Sequence, residues 1–253
     1  MSDWGQKYFE QGYAQRWGLP PITDQIRDEV DGLWKQLKLT RGSRVADIGC
    51  GPGRKALALA QRGAAVVGVD FAGALLTEAQ RLGAQLNIHA DWVRGDMRTL
   101  PLHSQSFDAA ISMDAFGFFE TEDENEAVLA SVARILAPGG RLGMKLVNGT
   151  PILADFRGSD RAEREGTVVT ISRTLTLNPS RMIEKISVTG SRGNGEYERR
   201  QRLYQPEEIN KMFERAGLSI AGIFADAHGM QFEPETSKTM WIIGKLAGRK
   251  TGG

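Results

Sequence analysis

Cysteine is nearly absent: the 253-residue chain holds one, Cys50, so no disulfide can form within it and a multi-cysteine zinc site is excluded. Histidine is scarce too. His89, His103 and His228 lie far apart and show no close-spaced ligand pattern, so no metal site is expected. No apolar run approaches the ~20 residues that a membrane-spanning helix needs. The N-terminal MSDWGQKYFEQGYAQRWG lacks the basic-then-apolar order of a secretory signal. Excess charge of one sign is missing as well. Lys+Arg number 32 against 31 Asp+Glu, a formal net charge of +1, which argues against a dedicated polyanion binder. These absences point to a reducing, cytoplasmic setting with neither membrane nor nucleic acid as partner.

What is present is alternation. Between Arg44 and Val147, short β-branched runs (Val45–Ile48, Ala65–Val69, Trp92–Val93, Phe107–Ser112, Arg141–Val147) are separated by helix-like stretches at Lys55–Arg62, Ala74–Ala84 and Glu124–Leu136. Strand and helix in turn predict βαβ units and an α/β fold, a parallel sheet with helices on both faces. Pro138-Gly139-Gly140 reads as a turn. Residues 1–43 read as helical, broken at Pro20-Pro21, and the tail from Ala247 as frayed.

Residues 150–203 read differently. Three strands are predicted at Thr167–Leu177, Met182–Thr189 and Glu196–Leu203, joined by turns at Asn178-Pro179-Ser180 and Gly190–Gly195. No crossover helix fits between them, so they must run antiparallel. A helix over Pro206–Ala216 and strands near Leu218–Phe224 and Thr239–Lys245 follow, the short spacing of the last two predicting an antiparallel final strand. The insertion therefore interrupts one domain, residues 1–253, rather than founding a second.

The segment richest in chemistry is Val45-Ala46-Asp47-Ile48-Gly49-Cys50-Gly51-Pro52-Gly53, a strand, a glycine-rich turn and a helix start. Glycine admits open backbone angles and close ligand approach, and the helix beyond offers unpaired N–H groups. The nicotinamide fingerprint needs glycine at the sixth loop position, where Arg54 stands, and no G-K-[ST] follows for a phosphate loop. Asp47 would repel a pyrophosphate and favour an ammonium group. Asp70, ending Val66-Val67-Gly68-Val69-Asp70, can accept from the vicinal hydroxyls of a ribose. Asp96 and Met97 in Gly95-Asp96-Met97 suit the exocyclic amine and the face of an adenine.

The ordered set VADIGCGPG, VVGVD, GDMRTLP, FDAAIS and RILAPGGRL, with YQPEEINKMFERAGL later, resembles the successive motifs of class I S-adenosylmethionine-dependent methyltransferases. The resemblance covers residues 40–147 and 204–218. It implies S-adenosyl-L-methionine as cofactor and a Rossmann-like seven-stranded sheet with an antiparallel last strand. It implies that Gly49, Cys50 and Gly51 lie against the methionine part beside Asp47, that Asp70 holds the ribose, that Asp96, Met97 and Phe71 frame the adenine, and that Met113 meets the cofactor's centre. More narrowly, Arg202-Leu203-Tyr204 after an antiparallel insertion is similar to bacterial small-molecule methyltransferases, among them amino-sugar N-methyltransferases. Lys55 stands where many of these carry His, and Met113–Gly117 is shorter than their polar segment.

The expected activity is in-line transfer of a methyl group to an N, O or C atom of a small molecule. Two other readings stand beside it: a binder of the same cofactor with a different role, and a nucleic-acid methyltransferase. Against the latter, Ser112-Met113-Asp114-Ala115-Phe116 lacks the prolines of the base-amino motif. Asp114, Tyr204 and His228 are the candidate catalytic groups. Tyr8, Phe9, Tyr13 and Trp17 form either a packed helix face or a lid over the cofactor, in which case Trp17 touches it. Cys50 is expected to be a turn residue and not a nucleophile. Phe116, Phe118 and Phe119 are expected in the core, Glu120–Glu126 at a solvated helix start, and Arg200 with Arg202 on one solvated strand face or at a site for an acidic substrate. The insertion is read as substrate cover or homodimer interface.

Overall fold

The structure, a computed structural model, describes residues 2–19 and 21–247. The expected frayed tail beyond Ala247 and Pro20 of the expected helix break lie outside the described residues. The N-terminal segment is helical: α1 (Asp3–Lys7), a π-helical turn at Tyr8–Gly12, and α2 (Tyr13–Trp17) follow without a gap, and α3 spans Asp24–Gln36. Thr23 caps α3, its hydroxyl accepting from the Ile26 N–H.

The alternating block folds as its pattern predicts. It gives β1 (Arg44–Ile48), α4 (Arg54–Gln61), β2 (Ala65–Asp70), α5 (Gly73–Leu86), β3 (Asp91–Arg94), β4 (Phe107–Met113), α6 (Glu122–Ile135) and β5 (Leu136–Val147). Pro138-Gly139-Gly140 does not precede β5 but bulges within it. Phe107 pairs with Leu136 and Ala109 already with Arg141, so the intervening residues loop out of the ladder. Thr121 and Glu124 close a capping box at the start of α6.

After β5 come a short helix α7 (Gly149–Ala154), then β6 (Ser159–Arg164), β7 (Thr167–Thr176), β8 (Arg181–Gly190) and β9 (Gly195–Arg202). The insertion thus holds four antiparallel strands in the order β6-β7-β8-β9, not three. β6 carries no periodic signal in the sequence, because all six of its residues are exposed and none marks an apolar face. The chain ends in α8 (Pro206–Arg215), β10 (Leu218–Phe224) and β11 (Thr239–Leu246).

The main sheet has seven strands in the order β10-β11-β5-β4-β1-β2-β3. The β5-β4-β1-β2-β3 ladders are parallel, and β11 runs antiparallel to both β5 and β10. Both faces are buried, and successive residues alternate between them. Ala46, Ile48, Ala110, Leu142 and Met144 join a core with α6 and α8. Val45, Ala109, Ile111, Trp241 and Ile243 join one with α3 and α4. A third cluster ties Tyr8, Phe9 and Tyr13 of the N-terminal segment to Val169, Ile171, Ile186, Val188 and Tyr197 of the insertion. Strand order reverses at β1, between β2 and β4, and its carboxyl end is where open α/β sheets bind ligands.

Candidate active site

The loop leaving β1 needs its glycines. Gly49 has a φ of +72°, and a Cβ there would stand 2.5 Å from the Ala115 Cβ. Gly51 has a φ of +54°, and a Cβ there would find its nearest neighbour, Leu75 Cδ1, only at 4.0 Å, so its bare side opens on free space. That space is a cavity of about 810 Å³ running from the loop to the insertion sheet. Asp47, Gly49, Cys50, Gly51, Asp70, Phe71, Met97, Met113, Asp114 and Trp17 all line it.

Asp70 straps two loops together. Its Oδ2 accepts from the Gly51 N–H at 2.8 Å and its Oδ1 from the Ala72 N–H at 2.9 Å. Burial pushes its carboxyl above the ordinary range, and these amides oppose the shift. Each oxygen keeps lone-pair capacity toward the cavity. Asp47 is 2% exposed. Burial pushes it up to about 7, partly offset by Lys55 and reinforced by Asp70. Burial also holds the Cys50 thiol well above its ordinary value, which removes it as a nucleophile.

Asp96 lies outside the main cavity. It lines a recess of about 20 Å³ with Phe71, Gly95, Met97 and Phe119, room for a water and not for a purine. Its carboxylate caps the turn at Arg98 and is gripped by the Arg98 guanidinium, which holds its pKa down. Asp114, at a φ of +58°, is half-exposed in the cavity, 3.4 Å from Lys145 Nζ. Lys145 and Lys55 both reach Glu29, at 3.2 and 3.1 Å. Burial alone would raise the Glu29 carboxyl, but the two lysines outweigh it and hold it low.

The other candidate catalytic groups stand elsewhere. Tyr204 is 2% exposed, packs on Phe116 and donates to Glu122 at 3.2 Å; burial and Glu122 raise its phenol far above the ordinary value. His228 is on the surface, paired with Asp28 at 3.0 Å. Neither lines the cavity. Arg200 and Arg202 do share one face of β9, the one turned away from the cavity, but acidic neighbours take up their charges there. Arg202 is buried against Glu122 and Glu208, Arg200 pairs with Glu198 at 2.6 Å, and the cavity instead receives Arg199 and Gln201. Of the phenylalanines, Phe116 is core, whereas Phe118 and Phe119 are both buried and cavity-lining. The acidic run is not merely solvated: Glu122, Glu124 and Glu126 pair with Arg202, Arg98 and Arg215.

Glu10, Arg54, Arg16, Arg173 and Glu184, which sequence reasoning missed, close the other end together with the lid candidates Phe9 and Tyr13. Glu10 takes the Gly73 and Ala74 N–H groups at 3.0 and 3.1 Å, sealing the N-terminus of α5, and pairs with Arg94 at 3.2 Å. Phe9 meets Phe71 and Phe118 edge-on, with ring centroids 5.7 and 5.4 Å apart. Arg54 donates to Tyr13 at 3.3 Å. Arg16, Arg173 and Arg199 converge on Glu184 inside the cavity. Burial favours the neutral Glu184, but the arginines outweigh it and hold the carboxyl at about 2. Among the described residues no cluster of His, Cys, Asp and Glu could hold a metal, and no helix is long and apolar enough to cross a membrane.

Known proteins resemble this chain in sequence and in fold. Residues 45–140 match the family model described as a methyltransferase domain. The chain is 28% identical over 178 residues to the S-adenosyl-L-methionine-dependent Diels-Alderase iccD of Talaromyces variabilis, covering 69% of this chain and 60% of that protein. It is 27% identical to the cypemycin N-terminal methyltransferase of a Streptomyces species, covering 80% and 82%. The fold is shared with the CcbJ methyltransferase of Streptomyces caelestis at a TM-score of 0.81 and 20% identity, over 96% of this chain and 99% of that one.

Proposed function

We propose that this chain, an S-adenosylmethionine-dependent methyltransferase, methylates a nucleophilic N, O or C atom of a small-molecule metabolite by in-line displacement. The single observation that carries this is the 810 Å³ cavity, continuous from the glycine loop to the insertion and of small-molecule size.

The residues at the loop suit the cofactor. A side chain on Gly51 would fill the space its backbone leaves open. Asp47 offers a carboxylate to the ammonium, Gly49 and Cys50 keep the wall low, and Arg54 at the start of α4 faces the carboxylate. Asp70 takes the ribose hydroxyls with its remaining lone pairs. Phe71 and Met97 would flank the adenine, and Met113 would border the cofactor's centre. When bound, the cofactor supplies a methyl group on a positively charged sulfur, a leaving group that needs no further activation. The protein's part is alignment and exclusion of water. The N-terminal residues 1–43 act as a lid, with Tyr8, Phe9, Tyr13 and Trp17 over the cavity, and the insertion 150–203 covers the acceptor. Asp114 is positioned to hold an N–H or O–H of the acceptor.

The test is incubation with S-adenosylmethionine and a metabolite panel, following S-adenosylhomocysteine release, with cofactor affinity measured by calorimetry. Asp70→Ala should weaken that affinity at least tenfold, about 1.4 kcal/mol. Asp114→Asn should lower turnover while leaving cofactor affinity within twofold. Equal cofactor affinity in Asp70→Ala would refute the ribose assignment. A second reading, cofactor binding in service of another reaction, is favoured by the Diels-Alderase relative. It predicts tight cofactor binding and acceptor conversion without S-adenosylhomocysteine.

A further inference from the structure

Three arginines from distant parts of the chain meet at one carboxylate. Arg16 Nη1 and Arg199 Nε donate to Glu184 Oε2 at 3.0 and 2.7 Å, and Arg173 Nε donates to Oε1 at 3.0 Å. Glu184 is 1% exposed, and one guanidinium would suffice to neutralise it. The other two leave a surplus of positive charge inside a partly closed cavity. The next acid, Asp160, stands 3.7 Å from Arg173 and is 62% exposed, where water screens it.

The arginines spend little of their donor capacity on one another's partner. Among the described residues the guanidiniums of Arg173 and Arg199 each make a hydrogen bond only through Nε, so the outer edge of Arg199 is unused and that of Arg173 meets only the exposed Asp160, 3.7 Å from its Nη2. Both side chains are 17% exposed and line the cavity. Arg199 also lies over the Phe118 ring, 5.7 Å from its centroid, which fixes the plane of the fork. An independent observation stands beside them. Gln201 lines the same cavity at 4% exposure, and its side-chain Oε1 has no hydrogen-bond donor among the described residues. A buried carbonyl oxygen in that condition marks a place for a donor.

Resting on the methyltransferase reading above, we infer that this end of the cavity is an anion site for the methyl acceptor. The outer edges of Arg173 and Arg199 grip a carboxylate or phosphate group, and Gln201 Oε1 accepts from an adjacent N–H or O–H. The acceptor is therefore an acidic metabolite carrying a donor group near its charge. The match of a planar two-donor edge to a two-oxygen anion is what a lysine or a neutral polar side chain would not provide.

The test saturates the full chain with S-adenosylhomocysteine, so that the carboxylate of the cofactor already occupies its own place. Benzoate, phenyl phosphate and benzyl alcohol are then titrated by calorimetry. At least one of the anions should bind and the alcohol should not, and the stronger anion tells a carboxylate site from a phosphate site. Arg199→Gln should weaken that binding at least tenfold, and Arg199→Lys should recover part of it, with S-adenosylhomocysteine affinity unchanged in both. Arg173→Gln serves the same purpose should Arg199→Gln fail to fold. Equal uptake of alcohol and anion, anion binding indifferent to both glutamine variants, or anion binding abolished by S-adenosylhomocysteine itself would overturn the inference. Failure of S-adenosylhomocysteine to bind would strike the cofactor reading instead, and the anion titration on the free chain would still decide this one.

Discussion

Replacing Glu184 by Gln keeps the shape of the side chain and removes the charge that three arginines share. The carboxyl is held at about 2 against an ordinary value of 4.5. At 1.36 kcal/mol per unit, the ionised form stabilises the fold by about 3 kcal/mol. A lowered folded-state pKa places this stability above the unfolded value, so it is complete above about pH 5. It fades as pH falls toward 2, to about 1 kcal/mol near pH 3. Breaking a buried pair in other proteins costs about 3–5 kcal/mol, the same range. The assay is urea unfolding of both proteins across pH 3 to 8. The difference between them cancels every other titrating group. At neutral pH Glu184→Gln should be less stable by about 3 kcal/mol, roughly 6–12 °C in melting temperature for a chain of this size, and the gap should close on acidification. A gap that is absent at pH 7, or that persists unchanged to pH 3, would refute the argument that the cluster is held by charge.

Asp47 carries the opposite sign. Its folded-state value of about 7 lies above the ordinary 3.8, so the fold loses stability as pH rises from about 4 to 7. Asp47→Asn should be more stable than the parent at pH 8, by up to about 4 kcal/mol, and equal to it near pH 4, as urea titrations at the two pH values would show. An ammonium beside Asp47 should drive off its proton, so cofactor binding near pH 6.5 should release a proton in buffers of differing ionisation enthalpy, and Asp47→Asn should abolish the release. Glu10→Ala removes the carboxylate that docks the N-terminal segment on α5. A lost cap of about 1–2 kcal/mol should multiply hydrogen exchange of the 2–17 amides about 5–30-fold, and unchanged exchange would show that Phe9 and Tyr8 alone hold the segment down.

Periodicity made most of the fold legible because the main sheet is buried on both faces. Val45, Ala46 and Ile48, or Leu142 and Met144, carry the signal whichever core they enter. β6 carries no such signal, since Ser159–Arg164 touches no core. The loop residues Gly49, Gly51 and Asp70 were readable because chain order places them together at one sheet edge, with β1 and β2 paired over Ile48 and Val69. Proximity to the sheet end in sequence does not say which side of Phe116 the Tyr204 ring falls on, nor that the loop carrying His228 turns it outward to Asp28.

The acceptor side was illegible for a physical reason that also explains its construction. Arg16 and Glu184 are 168 residues apart, and their meeting depends on the register of β7, β8 and β9, which sets Glu184 opposite both Arg173 and Arg199. A slip of β8 by one residue would turn Glu184 to the other face, away from both arginines. The cofactor side, by contrast, is built from loops of the main sheet whose geometry does not involve the insertion. The two halves meet through Phe9, which touches Phe71 on one side and Phe118 on the other. On the proposed assignment of the two halves, changes in the insertion should alter which acceptor fits without disturbing the glycine loop, while a change at Phe9 should disturb both at once.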